Sequence, residues 1–231
     1  MQTAEKFHSA AANAINFFED CREPLALLWL DVMHRRFGTQ QFATALQRFD
    51  RVLTEQPKEL ARLRVFRRMA DYNNPLQPED WEALTQPSDR LLVSALYCDR
   101  LGLPASFADW LDKAAKLGGY YLPHVLLTLV WVKENGVELA LPDGFIDDIY
   151  AANAAICNNN PMEVSDLKLE AGAFLCLAGQ GPMVDARFIE SIVLAQNDDG
   201  GWGPRDAQGN SDWHASILGL LLLLHLDTRQ N

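Results

Sequence analysis

The chain has 231 residues, of which 48% are hydrophobic and 22% charged, so it is a globular protein long enough to bury a substantial core. Its formal net charge of −11 lies mainly in the C-terminal half, which argues against nucleic acid or an anionic membrane surface as a partner. No apolar run reaches the length of a membrane span, the N-terminus lacks a secretory pattern, and the four cysteines are scattered. We therefore expect a cytoplasmic protein with reduced thiols.

Apolar residues recur at helical spacing along most of the chain, and Gly and Pro interrupt the pattern at regular intervals. Strand signals are nearly absent. No long linker separates the helices, so we expect a single domain over residues 1–231. The interruptions predict six helical hairpins, namely 4–20 with 23–37, 40–55 with 58–71, 79–86 with 88–102, 105–117 with 121–135, 143–158 with 163–178, and 184–197 with 212–226.

In each later hairpin the second helix is apolar on nearly every side, which is typical of a helix buried inside a structure. The most apolar stretches are residues 91–96, 125–132, 169–177 and 217–224. A repeat of about forty residues indicates stacked helix pairs. We therefore predict an all-α protein, an α/α toroid of about six hairpins with the apolar helices as its inner ring. An open helical solenoid of the same hairpins is the alternative.

One segment carries a family resemblance. Gln196-Asn-Asp-Asp-Gly-Gly-Trp202-Gly follows an apolar helix, and Asp212-Trp213-His214 opens the next one. The first motif resembles the QW repeat of squalene and other triterpene cyclases, in which Gln can bond backbone groups at a helix end while Trp packs over the turn. The second resembles the Asp-aromatic-His entry to an inner helix in the β subunits of protein prenyltransferases.

This resemblance spans residues 192–220 and implies the α/α-toroid fold of the terpenoid cyclase and protein prenyltransferase superfamily. In the prenyltransferases the matching His is a zinc ligand, so the resemblance also implies a ligand role for His214. The DxDD and DDxxD motifs of terpene cyclases are absent, as is the Asp-x-Cys pair of prenyltransferases. The motif therefore indicates the fold more strongly than the reaction.

Two histidines occupy equivalent positions in the predicted hairpins. His124 stands behind Tyr120-Tyr121 at the start of one apolar helix, and His214 stands behind Trp213 at the start of another. In a toroid the first turns of the inner helices gather around one mouth of the central cavity. We therefore expect the two histidines to lie near the same opening.

Two carboxylates lie on the apolar helix between these histidines. Asp166 and Glu170 are four residues apart and share a helix face. A carboxylate in an apolar helix must be paired, bound to a metal or turned to a cavity, because burial alone is costly. We predict that His124, Asp166, Glu170 and His214 converge on Zn²⁺, Fe²⁺ or Mn²⁺, with Glu170 or Asp166 as ligand or base.

The same residues also have structural interpretations. Either histidine can cap backbone groups or bond a neighbour at its helix start. Asp166 can favour the helix dipole behind Ser165 as N-cap, and Asp212 can cap its own helix. Glu170 is as well placed for a salt bridge to a neighbouring helix as for a ligand role.

Three functions fit these features. The first is a metal-dependent enzyme acting on a small or hydrophobic substrate in the cavity, without a nucleotide cofactor because no Walker loop or Rossmann fingerprint occurs. The second is a non-catalytic helical-repeat binding or scaffold protein. The third is a carrier or cyclase-like handler of isoprenoid or polyketide ligands, by superfamily analogy.

A basic helix offers the docking surface that the second function requires. It carries Arg62, Arg64, Arg67 and Arg68. A protein partner is one interpretation of these arginines. The other is a solvated surface paired with acidic neighbours, for which the candidates are Glu55, Glu59 and Asp71.

Overall fold

The computed structural model describes residues 2–57 and 60–227, with side chains described for 5–57 and 60–226. Within these residues the chain is mostly helical and adds one two-stranded sheet. The α-helices are α1 (Gln2–Phe17), α2 (Pro24–Phe37), α3 (Ala45–Glu55), α4 (Pro78–Glu82), α5 (Pro87–Leu96), α6 (Cys98–Leu101), α7 (Phe107–Leu117), α8 (Tyr121–Glu134), α9 (Phe145–Asn158), α10 (Asp166–Leu177), α11 (Ala186–Leu194) and α12 (Trp213–Asp227). The 3-10 helices are Gln40–Phe42, Ala61–Met69, called the arginine helix below, and Gly181–Met183.

The all-α prediction is confirmed, and most helices lie within a few residues of their predicted bounds. Proline punctuates the chain as expected, because Pro24, Pro78 and Pro87 each stand at the start of an α-helix, where a missing N–H costs nothing. The region predicted as helix 58–71 is instead a 3-10 helix over Ala61–Met69, and residues 58 and 59 lie outside the described part. The predicted helix 88–102 is divided into α5 and α6.

A β-hairpin was missed by the sequence prediction. Strand β1 (Trp202–Arg205) pairs antiparallel with β2 (Ser211–Asp212) in the connection between α11 and α12. Asp199 supports this hairpin, since its carboxylate accepts hydrogen bonds from the backbone N–H and the hydroxyl of Ser211 at 2.7 Å each. These bonds join residues twelve positions apart, which local periodicity does not register.

Six elements contact one another in succession. Helix α2 packs on the arginine helix, which contacts α5, and the series continues through α8, α10 and α12 back to α2. We call these six elements the core helices. Every residue of 125–132, 168–176 and 215–224 is buried. The predicted burial of the apolar helices is therefore confirmed.

The remaining long helices cover this series from outside. Helix α3 packs on α2, α7 on α8, α9 on α10, and α1 on both α12 and α11. Each predicted hairpin region contains one core helix and at least one further helix. Across residues 2–57 and 60–227, no helix has both the length and the apolar character needed to cross a bilayer.

The segment after α11 is fixed by Trp202. Trp202 is fully buried, its indole Nε1 donates to the Ile192 carbonyl at 2.7 Å, and its backbone N–H donates to the Ser216 hydroxyl at 2.8 Å. The ring lies over α12 at Gly219, where an added Cβ would stand 2.8 Å from Trp202 Cε3. A glycine at this position is what allows the ring to reach the helix backbone.

Gln196 ties the same segment to the first helix. Its Nε2 donates to the carbonyls of Ala10 at 2.8 Å and Gly200 at 2.9 Å. Gly200 has φ +91°, and a Cβ there would lie 2.4 Å from the Asn13 carbonyl oxygen. The last hairpin is therefore in direct contact with α1, so the two ends of the described chain meet.

Candidate active site

One cavity of about 210 Å³ lies among the core helices. All six core helices contribute to its lining, with apolar and aromatic side chains as the majority. The titratable or charged lining residues are Arg62, Asp89, His124, Glu170 and His214. Of the four predicted site residues, His124, Glu170 and His214 line this cavity, and Asp166 does not.

His124 and Glu170 form the first pair. His124 lies in the first turn of α8, and its Nε2 is 3.2 Å from Oε1 of Glu170, one turn into α10. Glu170 is only 1% exposed, and its other oxygen, Oε2, is buried without a hydrogen-bond partner among the described residues. A buried acceptor left unpaired costs about 1–3 kcal/mol. The cavity wall therefore includes a carboxylate with one oxygen left unpaired among the described residues.

His214 and Asp166 form the second pair, in which Nδ1 lies 2.7 Å from Oδ1. Burial lowers the pKa of His214, but the hydrogen bond and charge of Asp166 outweigh it, so the pKa is raised above its usual value. Burial raises the pKa of Asp166, but the His214 contact and a hydrogen bond from Tyr120 lower it overall. Asp166 thus orients the ring through Nδ1, and no hydrogen bond to Nε2 is found within residues 5–57 and 60–226.

Asp89 is a site residue that the sequence interpretation missed. It lines the cavity 3.9 Å from Arg62 Nη1, and burial raises its pKa while Arg62 and His124 partly offset the effect. A signal was present, because Asp89 lies in the first turn of α5, as His124 does in α8. A carboxylate in the first turn of a core helix is therefore expected to lie near this cavity.

Aromatic side chains form much of the cavity wall. Trp29 stacks with Trp131 and Phe174 at centroid distances of 6.5 and 5.9 Å, and all three rings line the cavity. Trp213 meets the His214 ring edge-on at 5.4 Å. The wall beside the two histidine pairs is therefore suited to a flat or apolar ligand.

The four predicted ligands form two pairs. In the described part of the chain, no three His, Cys, Asp or Glu side chains form a group that could hold a metal ion. Asp166 reaches the cavity only through His214. The capping interpretation of Asp212 is confirmed, because its Oδ1 accepts the Ala215 backbone N–H at 2.8 Å where α12 begins.

The basic surface predicted for residues 62–68 is engaged in ion pairs. The close pairs are Arg64 with Asp80, Arg67 with Asp50 and Asp71, and Arg68 with Asp99, at 2.6–2.7 Å. The interpretation that these arginines are paired with acidic residues is therefore confirmed. Of the three expected partners, Asp71 is the one that pairs with this helix among the described residues. Glu55 pairs with Arg22 instead, and Glu59 lies outside the described residues. A protein partner on this helix would have to compete with these pairs.

Arg68 yields a stability prediction. It is 3% exposed, lies 4.5 Å from the Tyr72 ring centroid and 4.7 Å from that of Tyr97, and pairs with Asp99. Arg68→Met is expected to lower the free energy of unfolding by about 3 kcal/mol, because it removes the cationic partner of the mostly buried Asp99 carboxylate, which keeps the hydrogen bond from the Tyr72 hydroxyl. Urea denaturation measures the loss. Arg22→Met, at an exposed pair, is the control and should change stability by less than about 1 kcal/mol; equal losses would refute the structural role.

Two imidazoles border one small cavity, and Asp166 holds the His214 ring through Nδ1 and raises its pKa. Comparison of the chain with known protein families, curated proteins and solved structures finds no match in any of the three.

Proposed function

We propose that the chain is an enzyme of small-molecule metabolism that transfers protons to and from a substrate held in the 210 Å³ cavity. The observation that carries the proposal is that two His–carboxylate pairs border this one cavity. His214, oriented by Asp166, serves as the general acid and base. His124, in contact with Glu170, acts from the neighbouring core helices.

The assignment of His214 follows from its surroundings. Asp166 stabilises the imidazolium form and raises the pKa of His214, so this ring accepts a proton more readily than an unpaired imidazole and can return it to a substrate. With Nδ1 engaged by Asp166, proton exchange with the substrate falls to Nε2. The aromatic wall holds the substrate against this nitrogen and excludes water from the reacting atoms.

We also infer that the core helices form the inner ring of an α/α toroid related to the terpenoid cyclase and prenyltransferase superfamily. The closed series of contacts from α2 back to α2 supports this architecture, as does the packing of Gln196 and Trp202. In such a toroid the 210 Å³ cavity would lie at one opening of the inner ring. The free Cys21, Cys98 and Cys157 support a reducing, cytoplasmic location.

A divalent metal remains a separate proposal for His124, Asp166, Glu170 and His214. A ligating His commonly donates its other ring N–H to a carboxylate, and both histidines touch a carboxylate through one nitrogen. Because no group of three ligands is present among the described residues, we assign no step to a metal. Elemental analysis of protein purified without a His-tag tests it. Stoichiometric Zn, Fe or Mn that is lost in His214→Ala would support it, and absence of metal with full stability in EDTA would reject it.

The enzyme proposal is tested by incubating the purified protein with a metabolite extract and following all masses. The wild type is expected to consume at least one compound, and His214→Gln to slow that conversion by about 100-fold or more. His8→Gln, at an exposed histidine outside the cavity, is the matched control and should leave the conversion unchanged. No conversion by the wild type, or equal conversion by His214→Gln, would contradict the proposal.

A further inference from the structure

We infer that the cavity recognises a small protonated amine carrying an apolar, preferably aromatic, body. This inference rests on the proposed function in one respect, since it takes the cavity to be the substrate site. It is carried by three observations: an unpartnered carboxylate oxygen, the distribution of charge around the cavity, and the aromatic wall.

The unpartnered oxygen belongs to Glu170. Its Oε1 contacts His124, whereas Oε2 is buried with no hydrogen-bond partner among the described residues. A buried acceptor without a partner is stabilised by a hydrogen-bond donor, and an ammonium group has three N–H donors. The terminal torsion of Glu is broad and roughly two-fold, so a small rotation turns the free oxygen toward the cavity that the residue already lines.

The charges around the cavity favour a cation. Asp89 faces Arg62, and Asp166 faces His214, so each of these carboxylates has its own cationic partner. Within the described residues, Glu170 forms no ion pair with Lys or Arg; its close polar contact is the His124 ring, and its charge also acts on His214. A ligand ammonium would complement this remaining carboxylate, whereas a ligand carboxylate would be repelled by it.

The aromatic wall stands beside the same carboxylate. Phe174 follows Glu170 by one turn of α10, and Trp131 follows His124 by two turns of α8, so each ring shares a helix face with a polar site residue. Trp29 stacks with both rings. A cation near these rings gains attraction from their π-systems, and its apolar body gains a dry contact surface.

The size of the cavity limits the ligand. At 210 Å³ it is smaller than the roughly 300–1,000 Å³ of sites that hold drug-sized molecules, which favours a compound with a single ring. An amine with one aromatic ring can place its ammonium at Glu170 and its ring against Trp29 and Phe174. Its carbon atoms then lie next to the histidines that exchange protons.

Isothermal titration calorimetry with three probes of similar shape tests the inference. Benzylamine, which is protonated at pH 7.5, is expected to bind at least about tenfold more tightly than neutral benzyl alcohol, because a hydrogen bond to a charged group adds to the shared apolar contact. Benzoate is expected to bind most weakly. Benzylamine binding no tighter than benzyl alcohol, or no binding by either probe, would overturn the inference.

Variants locate the binding. Glu170→Gln is expected to weaken benzylamine about tenfold while leaving benzyl alcohol unchanged, and the exposed Glu190→Gln is its matched control. Trp29→Leu should reduce the preference for benzylamine over benzyl alcohol, and it keeps the test available if Glu170→Gln does not fold. Unchanged preference for benzylamine over benzyl alcohol in the folded variants would refute the site.

The two proposals can fail independently. Amine binding without any metabolite conversion would reject the enzyme proposal and leave the ligand class intact. Conversion of a substrate without amine preference would reject the ligand class and leave the enzyme proposal intact.

Discussion

Replacing Trp202 by alanine is expected to lower the free energy of unfolding by about 3–5 kcal/mol. The ring is fully buried between α11 and α12, and no neighbouring side chain can fill its volume without moving one of these helices. The substitution also leaves the Ile192 carbonyl without the indole donor that satisfies it at 2.7 Å. Urea denaturation followed by far-ultraviolet circular dichroism measures the loss.

Trp110→Ala is the matched control for this experiment. Trp110 is 36% exposed on α7, so its removal deletes the same atoms from a site that water already reaches. We expect that loss to be less than half of the loss at Trp202. A cost at Trp202 no larger than at Trp110 would show that the turn does not hold the last hairpin in place. The proposed toroid would then lose the packing that joins its final helices.

The fold was predictable where burial alone determines the pattern. Helices α8, α10 and α12 are apolar around their whole circumference, and their positions followed directly from that property. The arginine helix was not predictable as a 3-10 helix. Its arginines form ion pairs with carboxylates on four other segments of the chain. These partners are distant in sequence, so the local pattern of residues does not reveal them. The β-hairpin likewise depends on Asp199 reaching Ser211 across the loop.

The residues of the candidate site were predictable from their place in the helices, but their pairing was not. His124 and His214 open equivalent helices, and Glu170 is a carboxylate in an apolar one, so each had to approach a cavity or a partner. Which carboxylate meets which histidine depends on the rotation of adjacent helices about their axes. Asp89 shows the same limit, because its first-turn position matters only once α5 is known to be a core helix.

Asp166→Asn is expected to remove the charge that raises the pKa of His214, so that this pKa falls relative to the wild type. The shift is measured by following the imidazole C–H resonances during an NMR titration. If His214 is the catalytic acid and base, the limb of the pH–rate profile that it controls should move to lower pH by the same amount. Conversion at neutral pH should fall about 100-fold, since the ring also loses its orientation.

The same substitution should destabilise the protein within a defined pH range. The raised pKa of His214 gives stability that is complete below its unfolded value of 6.5 and is lost as pH rises through the folded value. The lowered pKa of Asp166 gives stability that is present above 3.8 and is lost as pH falls through the folded value. The His214–Asp166 pair therefore adds most to the free energy of unfolding between pH 3.8 and pH 6.5. The contribution is about 1 kcal/mol, because His214 is partly exposed.

Asp198→Asn is the matched control, because Asp198 is fully exposed and lies outside the cavity. It should change neither the pKa of His214 nor the stability between pH 4 and 6. A loss in Asp166→Asn that is the same at pH 5.5 and pH 8.5 would mean that Asp166 contributes through packing and not through its charge. An unshifted His214 resonance would separate the two residues in solution and remove the basis for assigning proton transfer to this pair. If the His214 resonance shifts but the rate of conversion does not change, the Asp166–His214 pair has a structural role only. The catalytic role would then be assigned to His124 and Glu170.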